Sequence, residues 1–266
     1  MRFRILATIV AVTSFSWAAS FDKPVSKKTV DLGPSKSNPP AQPNPAHDMV
    51  TCYYYPTFMV KEVDLREKGA ERLAVVPAGK VAPPCTRTRG TTERVVKDWS
   101  GYFKGVKGNL VFFNADDGWN GGMGFVVYDA RTMKRLFEDV AQGDLEFSVP
   151  GTPKMTLKYM RVVDAECDVT KEEATCWPRV QKKFGLEALA APDCKAGYEK
   201  SAQELAKGRC QAQNSDNPQC LAREIELARR QTSEASSVIA YPVEVVLSPK
   251  PAIKPVAGAV GCWPSD

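Results

Sequence analysis

The residues best suited to chemistry lie between Asn114 and Gly122, in the stretch NADDGWNGG. Asp116, Asp117 and Asn120 offer oxygen ligands, three glycines supply a pliable backbone, and Trp119 offers a flat face for stacking. One use of that set is a calcium loop, but the D-x-[DN]-x-[DN]-G register and its closing Glu are missing. Another is a binding lip for a sugar or peptide, with Trp119 as the stacking surface. The plainer alternative is a long hairpin loop whose Asn, Asp and Gly meet turn geometry, with Trp119 folded back on the sheet.

Other chemistry finds less support. Carboxylate pairs occur at Asp116/Asp117, Glu138/Asp139 and Glu172/Glu173. Glycoside hydrolysis needs two carboxyls about 5 to 10 Å apart across a cleft. Glu138 and Asp139 are adjacent on a predicted strand, so they point to opposite faces. The single histidine, His47, lies in a predicted linker and G-x-S-x-G is absent, which argues against a Ser-His-Asp triad or a Cys-His pair. The glycines at 118 to 124 precede neither a P-loop Lys nor a helical pattern, so no nucleotide site is indicated. No cofactor or metal is expected.

These residues sit in a run of short apolar segments. Leu110 to Phe113, Phe125 to Tyr128 and the stretch around Leu136-Phe137 are separated by Gly, Asp and Asn. Apolar residues on both parities predict strands buried on both faces, forming a β-meander at the middle of a sheet. Within it, Asp129-Ala-Arg-Thr-Met-Lys134 resembles the D-A-x-T-G-K loop that joins strands in many β-propeller blades and sandwiches. Met133 stands where that loop has glycine, at an expected steric cost of about 1 kcal/mol. No repeat accompanies it, so a propeller is not implied.

Further strands are expected over Thr57 to Leu65, Leu73 to Val76, Arg94 to Phe103, 154–164 and, as the last strand, Val238 to Leu247. Pro242 in the last argues for an edge or a bulge. The strand at Thr57 alternates, which predicts one partly wet face. A short helix is expected from Trp177-Pro178, after an acidic polar loop between Cys167 and Cys176. An α-helical hairpin is expected over 193–232. Asp193 caps its first helix, which Gly208 ends. Asn217-Pro218 opens the second, where Glu226 precedes Arg230 by four residues.

The chain's outer regions speak of location. Residues 1–19 read as a secretory signal peptide: Arg2 and Arg4, an apolar core at Ile5 to Val12, and a small-residue cleavage site near Ala18. No Cys follows the cleavage point, so a lipoprotein anchor is not indicated, and no other stretch is long and apolar enough for a transmembrane anchor. Residues 20–49 are rich in Pro, Ser and Lys and read as a flexible linker. Residues 248–266 form a second Pro-rich tail, anchored by Cys262. The net charge of +5, or +3 without Arg2 and Arg4, is too small and too dispersed for nucleic acid.

All eight cysteines (52, 85, 167, 176, 194, 210, 220 and 262) follow the signal peptide, which predicts up to four disulfides. Cys210 with Cys220 follows from the hairpin geometry, and Cys167 with Cys176 from proximity. Cys194 sits at the hairpin's far end and must pair with Cys262, Cys85 or Cys52.

The expected fold is a mainly β domain over 50–247, a sandwich or a partly open barrel of antiparallel strands, with an inserted helical hairpin and disulfide staples. The expected function is an exported, periplasmic or secreted binding or interaction protein, its partner an envelope protein, a peptide or a glycan. The alternatives are an envelope-polymer hydrolase using Asp or Glu, and a structural envelope component.

Overall fold

The computed structural model describes residues 20–36, 46–147, 155–214, 217–247 and 250–265. The expected signal peptide lies outside them. Two antiparallel sheets carry the architecture. The first contains, in spatial order, β1 (Ser26–Pro34), β2 (His47–Tyr54), β3 (Phe58–Asp64), β4 (Arg72–Pro77) and β5 (Arg94–Val95). The second contains β6 (Gly101–Lys107), β7 (Leu110–Trp119), β8 (Gly122–Asp129), β9 (Arg135–Phe147), β10 (Thr156–Asp164) and β11 (Ser237–Val246). On the far side of β11 lie β12 (Ala252–Pro255) and β13 (Gly261–Pro264). Helices α1 (Val169–Phe184), α2 (Cys194–Ala212) and α3 (Pro218–Thr232) are inserted between β10 and β11. Of the two expected forms this is the sandwich; the sheets do not close into a barrel.

The both-parity apolar runs explain the layering. Val111 and Phe113 of β7 point between the sheets, where they meet Phe58, Val60, Leu73, Val75 and Val126. Phe112 points the other way, into a second core with Phe125, Leu157 and Tyr241, closed by Trp177 and Val180 of α1. The order is therefore sheet, sheet, helix.

All four cysteine pairs form disulfides: Cys52–Cys85, Cys167–Cys176, Cys194–Cys262 and Cys210–Cys220. Of the three partners open to Cys194, the structure selects Cys262. Met133 adopts φ +55°, the left-handed conformation that its place in the loop implied, and Asp129 accepts from the amides of Arg131 and Thr132 around it.

Several boundaries differ from expectation. The stretch read as a flexible linker is in part structured: residues 26–34 are β1, paired along their length with β2. Composition hid this because β1 buries little by itself and gains its order from the partner strand. His47 belongs to β2, and its Nδ1 lies 2.6 Å from Asp31 Oδ2 across the pair. The supposed polar loop before Cys176 is helical, since Asp168 caps α1 by accepting from the Thr170 amide. Helix α2 runs through Gly208 to Ala212, carried past that residue by packing on α3 and by Cys210–Cys220. Glu226 pairs with Arg229, not Arg230. Val238 to Leu247 is followed by two more strands. Pro242 falls in the gap between their partners on β11, where the Val256 amide donates to its carbonyl.

Residues 21–25 are tied to both sheets. The Val25 amide donates to Tyr54 in the first, and the Asp22 amide donates to Val106 in the second. Asp22 also pairs with Lys107 and accepts from the Gly108 amide. Phe21 packs edge-on against Phe112 and Phe147, at centroid distances of 5.2 and 4.9 Å. Gly105 makes room for it: a Cβ there would lie 2.5 Å from the Phe21 ring. Phe21→Ala should cost about 2 kcal/mol, below the roughly 3 to 5 kcal/mol of a fully buried aromatic because the ring is only partly buried. Gly105→Ala should also destabilise, and the double variant should lose less than the sum, as measured by urea unfolding.

Glu62 on β3 gives a pH test. Burial pushes its carboxyl above the usual range, against the Phe103 amide that donates to it at 2.6 Å. The folded state then holds this proton more tightly than the unfolded chain. Its contribution to stability is greatest below the unfolded pKa and falls as pH rises through the folded one. Glu62→Gln should flatten the stability profile just above pH 4.5, in thermal melts compared with wild type.

Candidate functional site

Asn114 to Gly122 is not a long loop. β7 and β8 pair to the tip, Trp119 opposite Gly122, leaving Asn120-Gly121 as a two-residue turn. Both turn residues have positive φ, +48° and +74°, the combination that the Asn-Gly dipeptide favours in hairpins. The register slips between Asn114 and Gly118, so Ala115 to Asp117 bulge from the ladder. Trp119 stays 45% exposed and is not folded onto the sheet. Asn120 is buried, and its carbonyl accepts from Trp263 Nε1 at 3.1 Å. Asp117 pairs with Lys68 at 2.9 Å; this hydrogen bond and charge hold its carboxyl below the usual range, which suits a fixed anion and not a general acid. Among the four expected site residues, then, Trp119 and Asp117 face solvent, Asp116 is half-buried in the bulge and Asn120 is turned inward.

The other carboxylate pairs also separate. Asp139 points into the helix-covered core, accepting from Tyr159 Oη at 2.5 Å and pairing with Arg161, while Glu138 pairs with Arg135. Arg161 also donates to Tyr241 Oη. Burial, followed by the charge of Asp139, pushes the Tyr159 hydroxyl far up, so it stays a donor. Glu172 and Glu173 are exposed on α1. Among the described residues no group of three His, Cys, Asp or Glu side chains could hold a metal.

A better-formed site lies on the outer face of the first sheet. The face of β3 expected to be wet is covered: Lys61 is 2% exposed. The segment 78–93 crosses over it and is held at several points. Cys85 is bonded to Cys52 on β2, and Tyr54 Oη donates to Pro83 O at 3.0 Å. Lys61 Nζ donates to Thr88 O at 3.0 Å and to Glu93 Oε2 at 2.6 Å. Arg72 donates to Arg87 O, and the Gly90 amide donates to Glu93. Arg72 Nε also lies 3.1 Å from Glu93 Oε1, at ion-pair distance but without hydrogen-bond geometry.

Between these anchors a cleft of about 530 Å³ remains. Its floor is Met59, Lys61 and Val76; its wall includes Val81, Pro83 and Arg89. Val81 is 82% exposed at the mouth. The lining is mostly apolar around a few fixed polar groups, as small-molecule sites are. Sequence reasoning missed this site because Lys61 and Glu93 are 32 residues apart and read as surface charges. The available signal was Cys85 inside a proline-rich, basic stretch, which a disulfide would lay across a neighbouring strand.

Breaking a buried ion pair from one side is costly because the other charge stays desolvated. Glu93→Gln leaves both Lys61 and Arg72 without their carboxylate and should cost about 3 kcal/mol or more. Lys61→Met leaves Glu93 beside Arg72 and should cost less. Urea unfolding of the two variants gives the order.

No protein-family model, no curated protein and no solved structure matches the chain.

Proposed function

We propose that the protein is an exported binding or interaction protein, and that the cleft over β3 and β4 takes its ligand. The observation that carries this reading is the lining itself. An apolar wall with Val81 held out in solvent stands over two ionised groups, Lys61 and Glu93, that are spent on each other. Such a surface binds; it offers no free general base. Export is supported by the leader-like first nineteen residues and by four disulfides, which fit an oxidising compartment. Among the described residues no helix is long and apolar enough to cross a membrane.

The test is capture from envelope and culture-fluid extracts with the mature protein and with Val81→Asp, which places a charge at the mouth without disturbing a packed residue. A molecule retained by wild type and at least tenfold depleted with the variant supports the reading. Equal retention by both, or none by either, removes the cleft from consideration.

A further inference from the structure

The cleft has a charge as well as a shape. Between residues 77 and 94 the chain carries four cations, Lys80, Arg87, Arg89 and Arg94, against one carboxylate, Glu93. Glu93 is buried and already engaged by Lys61, which lines the cleft, and by Arg72 beside it, so this cluster holds two cations against one anion. Lys80, Arg87 and Arg89 are exposed, and among the described residues none of the three has a carboxylate within 4.0 Å. Arg89 lines the cleft, and Lys80 and Arg87 flank lining residues. Some other surface cations near the sheets are matched locally, as Lys68 is by Asp117, Arg66 by Asp64 and Lys107 by Asp22, while Lys97, Lys134 and Lys254 stand singly; the rim differs in grouping three such cations between 80 and 89. An unmatched basic rim beside an apolar slot of small-molecule size is complementary to one kind of ligand.

We infer that the cleft binds a single-chain amphiphilic anion, with its apolar chain against Val81, Ala82, Pro83 and Pro84 and its carboxylate at the Arg87–Arg89 rim. This rests on the binding reading above and names its ligand class. The geometry favours a free small molecule over a membrane surface, because the exposed apolar residues of the lining, Val81, Ala82 and Pro84, are confined to one short stretch and are flanked by Thr, Gly and Arg. Burial of the chain supplies the affinity, at about 25 cal/mol for each Å² removed from water. The exposed arginines select the sign of the head group and make binding salt-dependent. The disulfide and the buried ion pair already fix the segment in place, so little order is lost on binding.

The experiment is calorimetric titration of the mature protein, at micromolar ligand well below micelle formation, with dodecanoate, dodecyltrimethylammonium and acetate. Dodecanoate should saturate at one per chain, the ammonium amphiphile should bind at least tenfold more weakly, and acetate should give no heat. Arg87→Gln/Arg89→Gln should weaken dodecanoate about fivefold and flatten its salt dependence, while leaving the ammonium amphiphile unchanged. Val81→Asp should abolish dodecanoate binding. Each variant is first shown by urea unfolding to be as stable as wild type. Equal binding of the two amphiphiles, or dodecanoate binding that ignores both variants, overturns the inference. No saturation by dodecanoate also overturns it. If extracts still yield a Val81-dependent ligand in that case, the ligand class is wrong and the binding reading stands; if they yield none, both fall.

Discussion

A β-sheet has two faces, and a sheet built from strands that are apolar on both must have each face covered. That constraint organises this molecule. The two sheets cover one another through Phe58, Val60, Phe113 and Val126. The opposite face of the second sheet is covered by α1 and the start of α2, around Phe112, Trp177 and Tyr241. Among the described residues no helix covers the opposite face of the first sheet. An irregular segment does so instead, and Val50, Cys52, Met59, Val63 and Val76 form a small third core with Cys85 beneath it.

An irregular segment is a poor cover, since its own backbone needs partners and it has little apolar surface. The chain compensates with specific fasteners: a disulfide, a tyrosine hydroxyl and the buried Lys61–Glu93–Arg72 cluster. Apolar residues could stabilise such a position as well as an ion pair does. What the ion pair adds is position. Lys61 must reach Glu93 and Thr88 at once, which fixes where 78–93 lies. The cleft is the space this fastening leaves open. Lys80, Arg87 and Arg89 lie in or beside its lining, and the one carboxylate of the segment, Glu93, is spent beneath it.

Residues 21–25 solve a related problem. The edge of β6 and the end of the helix-covered core are closed by Phe21 and Asp22, which reach from the first sheet to the second. The same arm continues as β1, so the two sheets are fastened at their edge as well as through their faces.

The sequence by itself determined much of this. Both-parity apolar runs revealed the meander and its burial on two sides, because a period of two is written directly into residue types. Asn217-Pro218 marked α3, and the hairpin it implies placed Cys210 beside Cys220. Position 133 announced its left-handed backbone through the glycine its loop normally has there. Only the tertiary structure decided the rest. β1 is ordered by β2 and not by its own composition, and no local signal reports a partner strand. Lys61 alternates like a wet-face residue, yet it is buried because a segment some 30 residues away crosses it. Trp119 stays in solvent, and Asn120 is buried because Trp263 reaches it from the other end of the chain. The cleft exists only once Cys52 and Cys85 are joined. Contacts made across long loops leave no periodicity in either partner, so neither the covered lysine nor the cleft was legible before the fold.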